Sequence, residues 1–133
     1  MKLTRSTIYT AFALVLLTLL VTACAPEAVR LTPADSGSQI ELKKDQLLEI
    51  ALPANMTTGF SWEVSQNNGA LLAIQGDPVY EEEQTGLMGA GGTTLFTFKA
   101  IDAGTLTLEL VYHQAWDTET PPADTFTLEV AIK

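Results

Sequence analysis

His113 is the only histidine in the chain and Cys24 the only cysteine, so the residue types that usually carry nucleophilic catalysis are nearly absent. A Ser-His-Asp or Cys-His set needs a base beside its nucleophile. The one imidazole stands on a strand leading into residues 114–122, and Cys24, near the N-terminus, gives it no thiol partner. A zinc site needs three or four converging His, Cys or carboxylate ligands, which a single histidine does not provide. Glu81, Glu82 and Glu83 could form half of a calcium site, but a run of like charges at a solvated strand end is the favoured account of them. No pair of carboxylates falls in a pocket-forming pattern for acid–base work. The expectation is a protein with no catalytic residues, metal or cofactor, and not an enzyme.

Three loops offer chemistry of another kind. Asn55-Met56-Thr57-Thr58-Gly59 holds two β-branched threonines where a hairpin would need only a pair such as Asn-Gly. Asn55 can close an Asx-turn on its own backbone, and Gly59 can take a positive φ, so a stiff bulge is expected. Restricted χ1 freedom at Thr57 and Thr58 lowers the entropy lost when they dock. The second loop, Gln84 to Gly92, reads QTGLMGAGG. Its bare backbone can approach a partner closely, but it lacks the strand-to-helix context and the lysine of a phosphate loop. The third, Gln114 to Pro122, reads QAWDTETPP and sets Trp116 among polar residues. Tryptophan is enriched among residues that dominate binding energy, often at about 2 kcal/mol or more each.

The elements that must position these loops show an apolar period of two. Ile40 and Leu42; Leu48, Ile50 and Leu52; Phe60, Trp62 and Val64; Phe96, Phe98 and Ala100; Leu106, Leu108, Leu110 and Tyr112; and Phe126, Leu128, Val130 and Ile132 each alternate with more polar neighbours. Leu71 to Gln75 and Val79 to Glu83 read as short strands that could include a helical turn. Turn residues separate the runs at Lys44-Asp45-Gln46, Gln66 to Gly69, Gly76-Asp77-Pro78 and Asp102-Ala103-Gly104. Seven or eight short half-buried strands fit an all-β, immunoglobulin-like antiparallel β-sandwich, with Trp62 in its core. Strands of a sandwich run up and down, so loops at alternate junctions, these three among them, emerge at one end.

The first residues belong to a different system. Lys2 and Arg5 precede an apolar run from Ile8 to Val21 that ends in Val21-Thr22-Ala23-Cys24, the pattern of a signal peptide closed by a bacterial lipobox. Residues 1–23 are expected to be the lipoprotein signal peptide, with Cys24 lipidated. Residues 24–37, with Pro26, Pro33 and Gly37, would be a tether, and 38–133 one domain. An uncut N-terminal anchor is the other reading of the apolar run. Removing Lys2 and Arg5 takes the formal charge from −9 to five cations against sixteen acids, or −11, which opposes nucleic acid and anionic lipid as partners. Lipid rather than charge would then hold a monomer to the bacterial cell envelope, facing the periplasm or the exterior. In such a cell the glycosylation sequon Asn55-Met56-Thr57 carries little weight.

At the three loops the sequence resembles the chagasin family of cysteine protease inhibitors. That family's pattern is an Asn-Pro-Thr-Thr-Gly loop followed by aromatic-x-Trp, then a Gly-x-Gly-Gly loop, then an Arg-Pro-Trp loop. Here they stand in the same order as Asn55 to Gly59 with Phe60-Ser61-Trp62, as Gly89-Ala90-Gly91-Gly92, and as Gln114-Ala115-Trp116. The resemblance implies an immunoglobulin-like sandwich whose loops enter the cleft of a papain-like cysteine protease, the threonine loop over the catalytic cysteine and the other two gripping the walls. The implied protease-binding residues are Asn55, Met56, Thr57, Thr58, Gly59, Phe60, Met88, Gly89, Ala90, Gly91, Gly92, Gln114, Ala115 and Trp116. Two departures stand out. Met56 replaces a proline, giving up about 0.4–1 kcal/mol of preorganisation, and Gln114-Ala115 replaces Arg-Pro, removing a charged contact. Met56 and Met88 are adaptable apolar residues that can compensate. The competing expectation is a non-inhibitory module of the same fold that recognises another envelope protein.

Overall fold

Inward-facing residues alternate with outward-facing ones along each long strand, and burial follows that alternation. The computed structural model describes residues 26–133; the signal peptide expected at 1–23 and the lipidation expected at Cys24 lie outside the described residues. The strands in chain order are β1 (Val29–Leu31), β2 (Ser38–Leu42), β3 (Leu47–Ala54), β4 (Phe60–Gln66), β5 (Leu72–Ile74), β6 (Val79–Glu82), β7 (Gly92–Ala100), β8 (Gly104–Gln114) and β9 (Asp124–Ile132). One sheet runs β1-β3-β7 with β5 and β6 both on the outer edge of β7; the other runs β2-β9-β8-β4.

The core lies between the sheets. Leu48, Ile50 and Leu52 from β3 and Phe96 and Phe98 from β7 meet Leu108 and Leu110 from β8 and Phe126, Leu128 and Val130 from β9. Each of these large side chains contributes about 1.5–3 kcal/mol by leaving water, and burial of this kind holds the domain together without a disulfide. Trp62 is buried at 7% exposure, as its place in the alternation predicts. Its ring packs on Tyr112 at 5.2 Å, and its Nε1–H donates to the Pro53 carbonyl oxygen at 2.9 Å, joining β4 of one sheet to β3 of the other.

Two features differ from the sequence expectation. Nine strands form rather than seven or eight because β1 lies inside the expected tether; the two short strands expected at 71–75 and 79–83 are present as β5 and β6, two parts of one interrupted edge strand. Leu72–Ile74 pairs with Phe98–Ala100, and Val79–Glu82 with Gly92–Leu95. The break at 75–78 turns through Gly76 at φ +71°, while Gln75 N–H still donates to Thr97 O at 2.8 Å.

Val29–Leu31 is too short to show a period, yet it pairs in parallel with Leu48–Ile50 and buries Leu31 at 7% exposure. Pairing along an existing strand, not local pattern, makes it a strand. The sandwich is also not wholly antiparallel, since β1 with β3 and β2 with β9 are parallel pairs. β1 climbs partway up the first sheet, reverses through the 3-10 turn Pro33–Asp35, and β2 descends on the second. The Asp35 carboxylate steadies that reversal, accepting from Thr32 N–H at 2.7 Å and Thr32 Oγ1–H at 3.1 Å.

Candidate functional site

Strand register decides which loops are neighbours. β3 stops at Ala54, the cross-strand partner of Gly92, and Gly92 also faces Glu82, so residues 55–59 and 83–91 leave the sandwich side by side. β4 opens at Phe60 opposite Gln114, and Tyr112 faces Asp124, so residues 115–123 leave beside the first loop. All three reversals crown one end.

The first loop is a single 3-10 turn, Met56–Thr58. Asn55 Oδ1 accepts from Thr57 N–H at 3.1 Å and from Thr57 Oγ1–H at 2.6 Å, the expected Asx-turn with a second bond added. Thr58 Oγ1–H donates back to Asn55 O at 2.7 Å. Gly59 closes the turn at φ +77°, a region that L-residues with a Cβ enter only at a cost. Met56, Thr57 and Thr58 are exposed at the tip. The threonine hydroxyls are thus occupied within the loop, which presents methyl groups and backbone in a fixed shape.

The neighbouring loops are bonded to this turn. Asn55 Nδ2–H donates to Gly89 O at 3.3 Å, tying the second loop to the first. Gln114 Nε2–H donates to Thr58 O at 3.2 Å, tying the third. Gln114 thereby gives the departure from Arg-Pro-Trp a physical role: its neutral amide spans to the threonine loop. Trp116, 71% exposed, lies on the bare face of Gly59; a Cβ built there would stand 2.3 Å from the indole Cη2. Ala115 is exposed beside it. In the second loop Met88 is fully exposed and Leu87 is 75% exposed, while Gly89 takes φ +78°. Ala90 and Gly91 are half-buried. Gly92 is buried, and a Cβ there would meet Glu81 O at 2.3 Å, so β6 can close on β7 only over a glycine. Phe60, half-buried, packs on Tyr112 at 5.4 Å beneath the crown rather than at its tip.

Two residues escaped the sequence reading. Leu87 shares the exposed apolar tip with Met88, and the signal was present, an apolar pair inside a glycine-rich loop. Tyr112 was legible only as the last inward residue of β8. Its ring sits between Phe60 and Trp62, and its hydroxyl oxygen accepts from Asn55 N–H at 3.0 Å, pinning the start of the first loop. Tyr112→Phe is expected to cost about 1 kcal/mol of unfolding free energy in urea titration, with the Thr57 and Thr58 amides shifting in NMR spectra while the distant β-strand amides do not.

Asp117 organises the third loop. Its carboxylate is held below the ordinary value of 3.8, first by the Thr120 side chain, then by the Thr120 N–H, with slight burial opposing and the Glu119 N–H adding to the effect; the two N–H bonds measure 3.0 and 3.2 Å. A lowered folded pKa means that this ordering is present above the ordinary carboxylate pKa and is lost as pH falls through the folded one. Trp116 fluorescence is therefore expected to be flat from neutral pH to about pH 4 and to change below it, and Asp117→Asn should abolish that acid step.

No catalytic constellation accompanies the crown. His113 Nε2 lies 2.8 Å from Glu63 Oε2. Ser61 stands opposite His113 in register, yet it is not hydrogen-bonded to the imidazole. Glu81, Glu82 and Glu83 lie exposed along β6 and the start of the second loop, and among the described residues no group of three or more His, Cys, Asp and Glu residues could hold a metal ion.

Comparison with known proteins bears on this arrangement. The family model described as Chagasin family peptidase inhibitor I42 matches residues 41–130. Chagasin of Trypanosoma cruzi is 30% identical over 104 residues, 74% of this chain and 93% of its own length. Among solved structures, a cysteine protease inhibitor from Entamoeba histolytica superposes with a TM-score of 0.74 at 21% identity, covering 82% of this chain and 100% of its own. PbICP-C, solved in complex with falcipain-2, superposes with a TM-score of 0.58 at 15% identity, over 82% of this chain and 93% of its own. At these identities the two structures speak to the fold alone.

Proposed function

The chain belongs to the chagasin family of peptidase inhibitors, and on that basis we propose that it is a reversible inhibitor of papain-like cysteine proteases which blocks the active-site cleft with the three loops of its crown. It is an inhibitor and not an enzyme. The observation that carries the mechanism is that the loops form one bonded edge: Asn55 reaches Gly89, Gln114 reaches Thr58, and Trp116 rests on Gly59. A papain-like protease cleaves an extended strand laid against its thiolate. The Met56–Thr58 turn would fill that place with a folded-back backbone in which the Thr57, Thr58 and Gly59 N–H groups are already bonded within the loop, so no peptide bond lies in line for attack. Leu87 and Met88 on one side and Trp116 on the other supply apolar area for the cleft walls. Because Asn55, Gly59 and the threonines are fixed before binding, little ordering entropy remains to be lost.

Hydrolysis of a fluorogenic peptide by papain tests this reading. Residues 26–133, which contain the entire core, are expected to inhibit it at nanomolar to micromolar concentration with full recovery on dilution. Full protease activity across papain and several relatives would overturn it and point instead to a module that binds another envelope protein.

For the N-terminal segment we propose lipidation of Cys24 after removal of residues 1–23, which would hold the domain in a bacterial envelope facing the periplasm or the exterior. The basic residues, the apolar run and the small residues before Cys24 support that reading.

A further inference from the structure

We infer that the domain stands on its anchor in a fixed sense, with the inhibitory crown farthest from the bilayer and the opposite, lysine-bearing end against the lipid headgroups. This rests on the proposed lipidation of Cys24 and goes beyond it, because an acyl chain alone says nothing about which way a domain faces.

Three observations converge. β1 runs parallel to β3, with Val29 beside Leu48, so the chain enters the sandwich at the end where β3 begins, and the crown lies where β3 finishes at Ala54. The entry point is also clamped: Gln46 Nε2–H donates to Glu27 O at 2.7 Å while Gln46 Oε1 accepts from Lys43 N–H at 2.9 Å. The effective tether is therefore not the thirteen or so residues expected from composition. Only two residues, Ala25 and Pro26, separate Cys24 from the clamped Glu27, three Cα-to-Cα steps and a reach of at most about 11 Å whatever their path. The crown stands a further 26 Å or so away, the length of the eight residues of β3.

Charge points the same way. The described cations are Arg30, Lys43, Lys44, Lys99 and Lys133. Lys43 and Lys44 lie in the turn between β2 and β3. Lys99 pairs with Leu47 at the start of β3, and Lys44 N–H bonds Lys133 O. Arg30 faces Glu49 in the same half. The crown end holds no lysine or arginine among the described residues and carries Glu82, Glu83, Asp117, Glu119 and Asp124. The entry end is not itself net positive, because Arg30 pairs with Glu49, Lys44 with Asp102, Lys99 with Asp45 and Lys133 with Glu41. Its acids are offset by these cations where the crown's are not, so repulsion from anionic lipid is weaker at the entry end than at the crown. Screening confines such forces to about 8–10 Å, comparable with the reach of the clamped entry, whereas the crown lies well beyond it. The consequence for function is a target approached from the aqueous side, in solution or on a facing surface.

The test uses the full chain, expressed in bacteria, purified with its anchor and reconstituted in phosphatidylethanolamine–phosphatidylglycerol vesicles containing a headgroup-attached quencher. Cys24 is the only cysteine, so Lys44→Cys and Thr120→Cys each add one labelling site, both exposed. The label at position 44 is expected to be quenched several-fold more than the label at position 120. Equal quenching, or the reverse, in vesicle-bound protein would overturn the orientation while leaving the anchor intact. A parent chain that takes up thiol label at Cys24 and stays out of the vesicles would overturn the anchor, and the orientation with it.

Discussion

Trp62→Ala is expected to lower the unfolding free energy by about 3–5 kcal/mol, the range for removing a large aromatic side chain from a packed core. The upper part of that range is expected here because three things are lost together. The indole leaves a cavity between the sheets where Tyr112 packs at 5.2 Å, and Pro53 O loses its 2.9 Å donor. Tyr112 also loses the ring that holds its hydroxyl under Asn55 N–H, so damage to the core reaches the first loop. Trp62→Phe keeps most of the packing and gives up the hydrogen bond, and should cost markedly less. Urea unfolding followed by far-ultraviolet circular dichroism separates the two. An alanine variant as stable as the parent would mean that the sheets are not braced at this point.

Trp116→Ala is expected to act on binding with little effect on stability. The side chain is 71% exposed, so the folded domain loses almost no core, whereas an aromatic anchor at the centre of an interface contributes about 2 kcal/mol or more. That corresponds to a rise of about thirtyfold in the inhibition constant against papain, with the unfolding midpoint nearly unchanged. Gly59→Ala should reach a similar end by another route. Its Cβ would stand 2.3 Å from the indole at a backbone φ of +77°, so the ring must leave its seat and the turn must take on strain. Equal inhibition constants for Trp116→Ala and the parent would remove the tryptophan from the interface. A Gly59→Ala variant that inhibits normally would show that the seat on Gly59 does not matter.

Both predictions rest on features that differ in how visible they are without coordinates. Alternation along β3, β7, β8 and β9 assigned the inward face correctly, because side chains of an extended backbone point to opposite sides whatever the rest of the chain does. The Asx-turn at Asn55 and the positive φ at Gly59 were equally legible, since each depends on residues at most a few positions apart. The contacts that make the loops one edge were not. Asn55 to Gly89 spans 34 residues, Gln114 to Thr58 spans 56, and Tyr112 to Asn55 spans 57.

Those pairs meet because β3 aligns Ala54 with Gly92 and β4 aligns Phe60 with Gln114, and register between strands remote in sequence is settled by packing of the whole core. The same holds for β1, whose three residues carry no pattern of their own and become a strand only on the edge that β3 provides. Local backbone chemistry thus determined which residues face inward and which loops are stiff, while the assembled sandwich alone decided that the loops touch, and that the chain enters at the end away from them.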